Sequence, residues 1–163
     1  MASPINTILG ATLQTVGQQL VAAMQKQLQA NGSNATGFLS KSIQSEVRQG
    51  DKGPEVVITM APYGPVLDSG RDRSTKGGPK QTWRNKIIVW QRVRGIAPRQ
   101  GISDETLAFL ITRKINREGY KAKPFIGPAF NLVVQNDLPD LISKGIQDAL
   151  SQTLVNEVKI KLI

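Results

Sequence analysis

Nine apolar residues, Ile5, Ile8, Leu9, Leu13, Val16, Leu20, Val21, Met24 and Leu28, recur at steps of three and four across residues 5–30. That is the period of a single helical face, and it predicts one long amphipathic helix. Ser3 stands where an N-cap belongs, Pro4 fits a first helical position, and Asn31-Gly32 is a stop signal. A face this long has to be covered by other parts of the chain. The opposite face is rich in Gln and Thr and carries no charge before Lys26. It is either a neutral polar surface or one covered by another subunit.

The elements that can cover the first helix follow from the same kind of reading. Residues 33–37 form a loop, after which Ile43, Ser45 and Val47 alternate on one face. Gly50-Asp51-Lys52-Gly53 is a turn, and the β-branched run Glu55–Met60 reads as a strand, so a hairpin is expected between about 42 and 61. Ala61-Pro62-Tyr63-Gly64-Pro65 breaks it, and Val66–Gly70 continues as a short extended or turn segment. A Gly-, Pro- and charge-rich surface loop spans 71–80. Residues 81–94 read as helix or strand, and helix is favoured because Trp83, Ile87, Trp90 and Val93 or Arg94 fit one helical face. Ser103 caps a helix over 104–118, where Asp104 and Glu105 suit the first turn, Leu107, Ala108, Ile111 and Ile115 face inward, and Gly119 closes the helix. A helix at about 128–136 follows. Asp137 then caps a last helix with Pro139 in its first turn and Leu138, Leu141, Ile142, Ile146, Ala149, Leu150 and Leu154 on its apolar face. The tail 158–163 is either a strand or frayed helix. At 163 residues, 39% apolar and 20% charged, the chain fits one globular domain, 1–163. The expected fold class is α+β: a small antiparallel β-sheet packed against long N- and C-terminal helices, with a helical insertion.

Composition removes most chemistry. The chain has no cysteine and no histidine, so it lacks disulfides, thiolate metal sites, the commonest general base and the commonest metal ligand. Asp68 near Ser69 and the Asp104-Glu105 pair are the carboxylates worth weighing, and the pair reads as a helix-dipole partner. Neither an enzyme nor a cofactor nor a metal is expected. Gly77-Gly78 lacks the spacing of a phosphate-binding loop. There is no positively charged leader and no membrane-length apolar run, so the expectation is a soluble chain made in a cytoplasm.

What stands out instead is charge. Nine basic residues lie between Arg71 and Arg99, with Asp72 the lone acid among them, against a net charge of +9 for the whole chain. Such a block faces either a polyanion or solvent. Arg71, Arg73, Lys76, Lys80 and Arg84 are the candidate surface. Trp83 and Trp90 are either a stacking platform within it or core anchors, the second being the commoner use of tryptophans two turns apart. The helices at 81–94 and 104–118 also invite a helix-turn-helix reading, but their connection is long for that motif.

The segment Lys121-Ala122-Lys123-Pro124-Phe125-Ile126-Gly127-Pro128 frames one aromatic with two prolines. Proline pushes its preceding residue toward extended backbone, and Pro128 suits a first helical turn. Phe125 therefore reads as a fixed anchor, in a core or at a subunit boundary. Pro124 and Pro128 frame it, and Tyr63 is a further anchor candidate.

Three blocks, in order, carry a resemblance. They are Thr36-Gly37-Phe38-Leu39-Ser40-Lys41-Ser42-Ile43, Ala61-Pro62-Tyr63-Gly64-Pro65-Val66-Leu67-Asp68-Ser69-Gly70, and Leu107–Gly119 running into Lys123-Pro124-Phe125-Ile126-Gly127-Pro128-Ala129. Across 34–131 the chain resembles the tail-completion and head–tail joining family, the small neck and minor tail proteins of tailed bacteriophages. Residues 71–99 then correspond to a basic loop and a Trp-containing helix insertion. Leu67-Asp68 and Arg71 depart from the family's usual Glu-Phe and Thr. The resemblance implies a structural virion protein with no catalytic residues, assembled in the host cytoplasm as a homo-oligomeric ring, a hexamer or higher. It implies neighbouring neck, portal or tail proteins as partners, with no membrane. The basic surface would meet packaged DNA in the ring lumen or the next ring. The alternative function is a small basic DNA-binding protein without sequence specificity.

Overall fold

The computed structural model describes residues 4–51, 53–73 and 81–161. The fold is α+β, with long helices at both ends of the chain and a two-stranded antiparallel sheet. The chain gathers into two compact units, each built from segments distant in sequence.

The first unit comprises Met1–Gln27, Lys41–Met60 and Phe125–Ile163. It holds most of α1, Pro4–Ala30, as the apolar period requires. The expected cap, Ser3, lies outside the described residues. Val16, Leu20, Ala23 and Met24 form the buried stripe of α1. At Gly17 this helix closes on the hairpin. A side chain there would meet Ser45 Cβ at 3.0 Å and Val56 Cγ1 at 3.1 Å. The hairpin pairs β1, Gln44–Gly50, with β2, Gly53–Thr59. Its register sets Ser45 opposite Ile58 and Val47 opposite Val56, with Gly50 opposite Gly53 at the turn. Ile43 is buried, Ser45 and Val47 are half-buried, and Gln44, Glu46 and Arg48 are exposed, the alternation expected of a one-sided sheet.

The run Phe38–Ser42, which leads into the hairpin, is a short helix, α2. One expected boundary differs. After Phe125 the chain is helical without a break: α6, Ile126–Leu132, a π-helical turn Val133–Asp137, and α7, Leu138–Lys161. Asp137 is therefore inside a helical run and caps nothing. Pro139 explains the wide turn. A proline in a helix lacks the N–H and crowds the carbonyl one turn back. A π turn directly before it, closed by the Leu138 N–H on the Val133 carbonyl, takes up that mismatch. Gly127 is helical although it precedes Pro128, because the clash that disfavours helix before proline involves a Cβ that glycine lacks. The tail is helical through Lys161, not a strand.

The apolar face of α7 is not the one expected. Leu141 and Gly145 turn inward, and a side chain at Gly145 would lie 2.5 Å from Thr12 Oγ1 of α1. Ile142, Ile146 and Leu150 are exposed. The side chains of Ala149 and Leu154 lie outside the described residues.

The second unit comprises Leu28–Ser40 and Ala61–Pro124. Here α1 ends as Asn31-Gly32 signals. Gly32 adopts φ +61° and donates to the Gln29 carbonyl (2.9 Å), while Ser33 N–H reaches the Leu28 carbonyl (2.9 Å). This satisfies carbonyls that a helix end would otherwise orphan. Val66–Ser69 is not extended: Gly64–Ser69 forms α3, with Pro65 in its first turn, where a missing N–H costs nothing. The helix pair α4, Gln81–Val93, and α5, Asp104–Glu118, packs side by side. Ser103 caps α5 as expected, its Oγ accepting from Thr106 N–H at 3.1 Å. The inward line of α5 contains Leu107, Ala108, Ile111 and Ile115, joined by buried Thr112, whose hydroxyl donates to the Ala108 carbonyl at 2.7 Å. The inward line of α4 is rotated from expectation. Gln91 is the buried residue (1% exposed), Trp90 is half-buried, and Val93 and Arg94 are exposed.

Candidate functional site

Tyr63, Arg71, Arg73, Arg84, Trp90 and Pro124 belong to the second unit, which holds one short backbone crossing, while Phe125 and Pro128 belong to the first. Arg71 and Tyr120 form an isolated antiparallel bridge, Arg71 N–H to Tyr120 O at 3.0 Å and Tyr120 N–H to Arg71 O at 2.9 Å. The crossing is tight because glycine sits on both sides. A Cβ at Gly70 would stand 2.6 Å from Ala122 N, and one at Gly119, whose φ is +73°, would overlap the Arg71 carbonyl oxygen. Lys123 N–H extends the crossing to the Leu67 carbonyl (3.0 Å), and the Tyr120 hydroxyl donates to the Val66 carbonyl (3.1 Å). The approach to Phe125 is clamped as well. Asn31 Nδ2 donates to the Pro124 carbonyl (2.7 Å), and Lys123 Nζ reaches the Asn31 carbonyl (3.3 Å).

Arg71 is thus pinned at the start of the stretch read as a loop, while Arg73 is exposed. Lys76 and Lys80 lie outside the described residues. Arg84 is half-buried, its guanidinium 5.2 Å from the centre of the Phe109 ring, a cation–π distance. Other members of the block are tied within the unit. Arg92 holds Asp104 Oδ2 through Nη2 at 3.1 Å and Nε at 3.3 Å, and Arg94 donates to the Gly32 carbonyl. Asp104 is accordingly an ion-pair partner at a helix start.

Sequence reasoning left out the outer face of α5. It exposes Arg113, Lys114 and Arg117. Arg117 bonds Glu118, and Lys114 stands 4.0 Å from it. The Arg117 hydrogen bond, helped by the charges of Arg117 and Lys114 and opposed by desolvation, holds the Glu118 carboxyl below its ordinary pKa. The repeat of basic residues three and four apart was the signal for this face.

Of the anchor candidates, Phe125 has no solvent exposure. Pro124 and Pro128 are exposed and add nothing to a core; their part is in the backbone. The side chain of Trp83 lies outside the described residues. Tyr63 is also exposed (39%) and stacks on Phe38 (62% exposed), with ring centres 6.4 Å apart and planes 19° off parallel. Partial burial raises the Tyr63 phenol pKa, and raises that of Tyr120 against the opposing charge of Arg71.

Among the described residues no three His, Cys, Asp or Glu side chains cluster as a metal site, and no helix is long and apolar enough to cross a membrane. Two open concavities lie at the hairpin turn, by Asp51 and Glu55, and between α1 and the hairpin, by Gln14 and Ser45. Neither is lined by the basic block. No family model, curated protein or solved structure matches the chain.

Proposed function

We propose that the chain is a structural virion protein of a tailed bacteriophage. In this reading it forms a ring at the head–tail interface or the head-proximal end of the tail, with its basic surface toward DNA or a neighbouring ring. The observation that carries the reading is the meeting of the three resemblance blocks. Phe38 of the first stacks on Tyr63 of the second, the Lys123 N–H of the third donates to the Leu67 carbonyl of the second, and the antiparallel bridge Arg71–Tyr120 lies just outside both blocks. Segments far apart in sequence thereby come into contact within the second unit. This is what a shared docking architecture needs, and no reactive group is required. Immunogold labelling of particles from the phage that encodes the chain tests it. Label at the neck or upper tail is expected, and reversal of Arg71, Arg73 and Lys76 to Glu should impair joining of heads to tails or retention of DNA. Unlabelled particles, or normal infectious particles from the charge-reversed mutant, would refute it.

The second reading, a sequence-independent DNA-binding protein acting outside a particle, is favoured by one observation. Of the 21 basic and 12 acidic residues, fourteen and five fall in the second unit, against seven and seven in the first. The whole excess of +9 therefore belongs to one unit. A free monomer or dimer with salt-dependent DNA affinity would select this reading over the ring.

A further inference from the structure

The expected core stripe of α7 is divided lengthwise. Leu141 and Gly145 take the inward side, whereas Ile142, Ile146 and Leu150 are 46%, 56% and 59% exposed. At spacings of four residues these three lie in one stripe, along about 12 Å of helix axis. No charged side chain interrupts it. Pro139 and Ser143 flank it, while Lys144 and Asp148 fall on the opposite side of the helix. The same unit presents a second uncharged helical surface. Gln14, Thr15, Gln18 and Ala22 of α1 are exposed, and α1 has no charge before Lys26. Helices that face water ordinarily carry charge on their outer face, whereas the centre of a protein–protein interface is depleted in it.

We propose that the Ile142–Ile146–Leu150 stripe is the surface through which one copy of this chain packs against a second copy. Charge identifies the occupant. Copies meeting through the second unit would bring +9 against +9, and like-charge juxtaposition opposes association. Copies meeting through the first unit bring neutral against neutral, since its seven basic and seven acidic residues cancel. A nucleic acid finds no cation on the stripe. A strongly charged protein finds nothing to complement. An uncharged apolar surface on the same neutral unit of another copy meets both conditions. The proposal rests on the ring-forming reading only in requiring self-association; it does not require a particle.

Sedimentation velocity of the full chain over a wide concentration range tests it, with Ile146→Glu as the main variant and Ile146→Ala as a milder one. The wild type should associate as concentration rises. Ile146→Glu should raise the dissociation constant about a hundredfold or more, because association would bury an unpaired carboxylate. Its circular dichroism and melting transition should be preserved, as the site is exposed in the single chain. Ile146→Ala should weaken association by a smaller factor, and Phe38→Glu, on the second unit, should leave it unchanged. A wild type that stays monomeric throughout overturns the proposal. So does a folded Ile146→Glu protein that associates like the wild type, or a monomer that instead binds phosphatidylcholine vesicles through the stripe. Immunogold labelling separates this from the virion reading. Labelled particles together with association indifferent to Ile146 sink the interface alone. Unlabelled particles together with association lost in Ile146→Glu sink the virion reading alone.

Discussion

Phe125 and Gly119 show how much one residue decides here. Phe125 is the bulkiest of the fully buried side chains among the described residues. Its truncation to Ala removes a large apolar group and leaves a cavity. Urea denaturation of Phe125→Ala should therefore show a loss of about 3–5 kcal/mol, and an unchanged midpoint would mean the ring is not core. The framing prolines drew attention to this position in the sequence, but their own side chains are exposed because they act on backbone direction. Gly119 was legible as a helix stop. That it also admits the Arg71 strand was not, since the partner lies far away along the chain. Gly119→Ala places a side chain at φ +73° and against the Arg71 carbonyl. It should cost more than about 1 kcal/mol. It should also speed hydrogen exchange at the Arg71 and Tyr120 amides, and exchange as slow as wild type would count against the crossing.

Elements were readable where one signal sufficed. The apolar period placed α1, the β-branched run with its turn placed the hairpin, and Ser103 with Gly119 bracketed α5. Orientation was less readable, because a helix with apolar residues over much of its circumference can be turned by its neighbours. On α4 the tryptophans suggested one face, yet the helix turns Gln91 inward, and its amide has no hydrogen-bond partner among the described residues. An unsatisfied buried amide costs about 1–3 kcal/mol. Gln91→Met, which keeps the volume and removes the polar atoms, should raise the unfolding free energy by about 1 kcal/mol or more, read by thermal and chemical melts. A destabilised variant would show that the amide is paired after all. The π turn before Pro139 was missed for a related reason. Proline announces a helix start and a helix defect in the same way, and only continuity with α6 distinguishes them.

For the molecule as a whole, the partition of charge is the main result. The second unit carries the entire +9, and Arg73, Arg99 and Arg113 are exposed there without an acidic partner at ion-pair distance among the described residues. If this surface meets phosphate, binding to random-sequence duplex DNA should weaken steeply with salt. Changing these three arginines to Gln should lower the slope of log affinity against log salt by about one for each phosphate that is no longer neutralised. Fluorescence anisotropy across a salt series measures it, and a slope unmoved by all three substitutions would place the DNA-binding surface elsewhere. By itself the sequence determined α1, the hairpin, α5, the charge excess and the absence of histidine and cysteine, because helical period, turn chemistry and composition are local properties. Only the tertiary structure decided that Arg71 is pinned by Tyr120, that Phe38 stacks on Tyr63, that half of the apolar stripe of α7 is exposed, and that the charge falls on one unit. Each of these depends on which distant segments pack together, and packing is settled by the joint burial of many side chains rather than by any one stretch of chain.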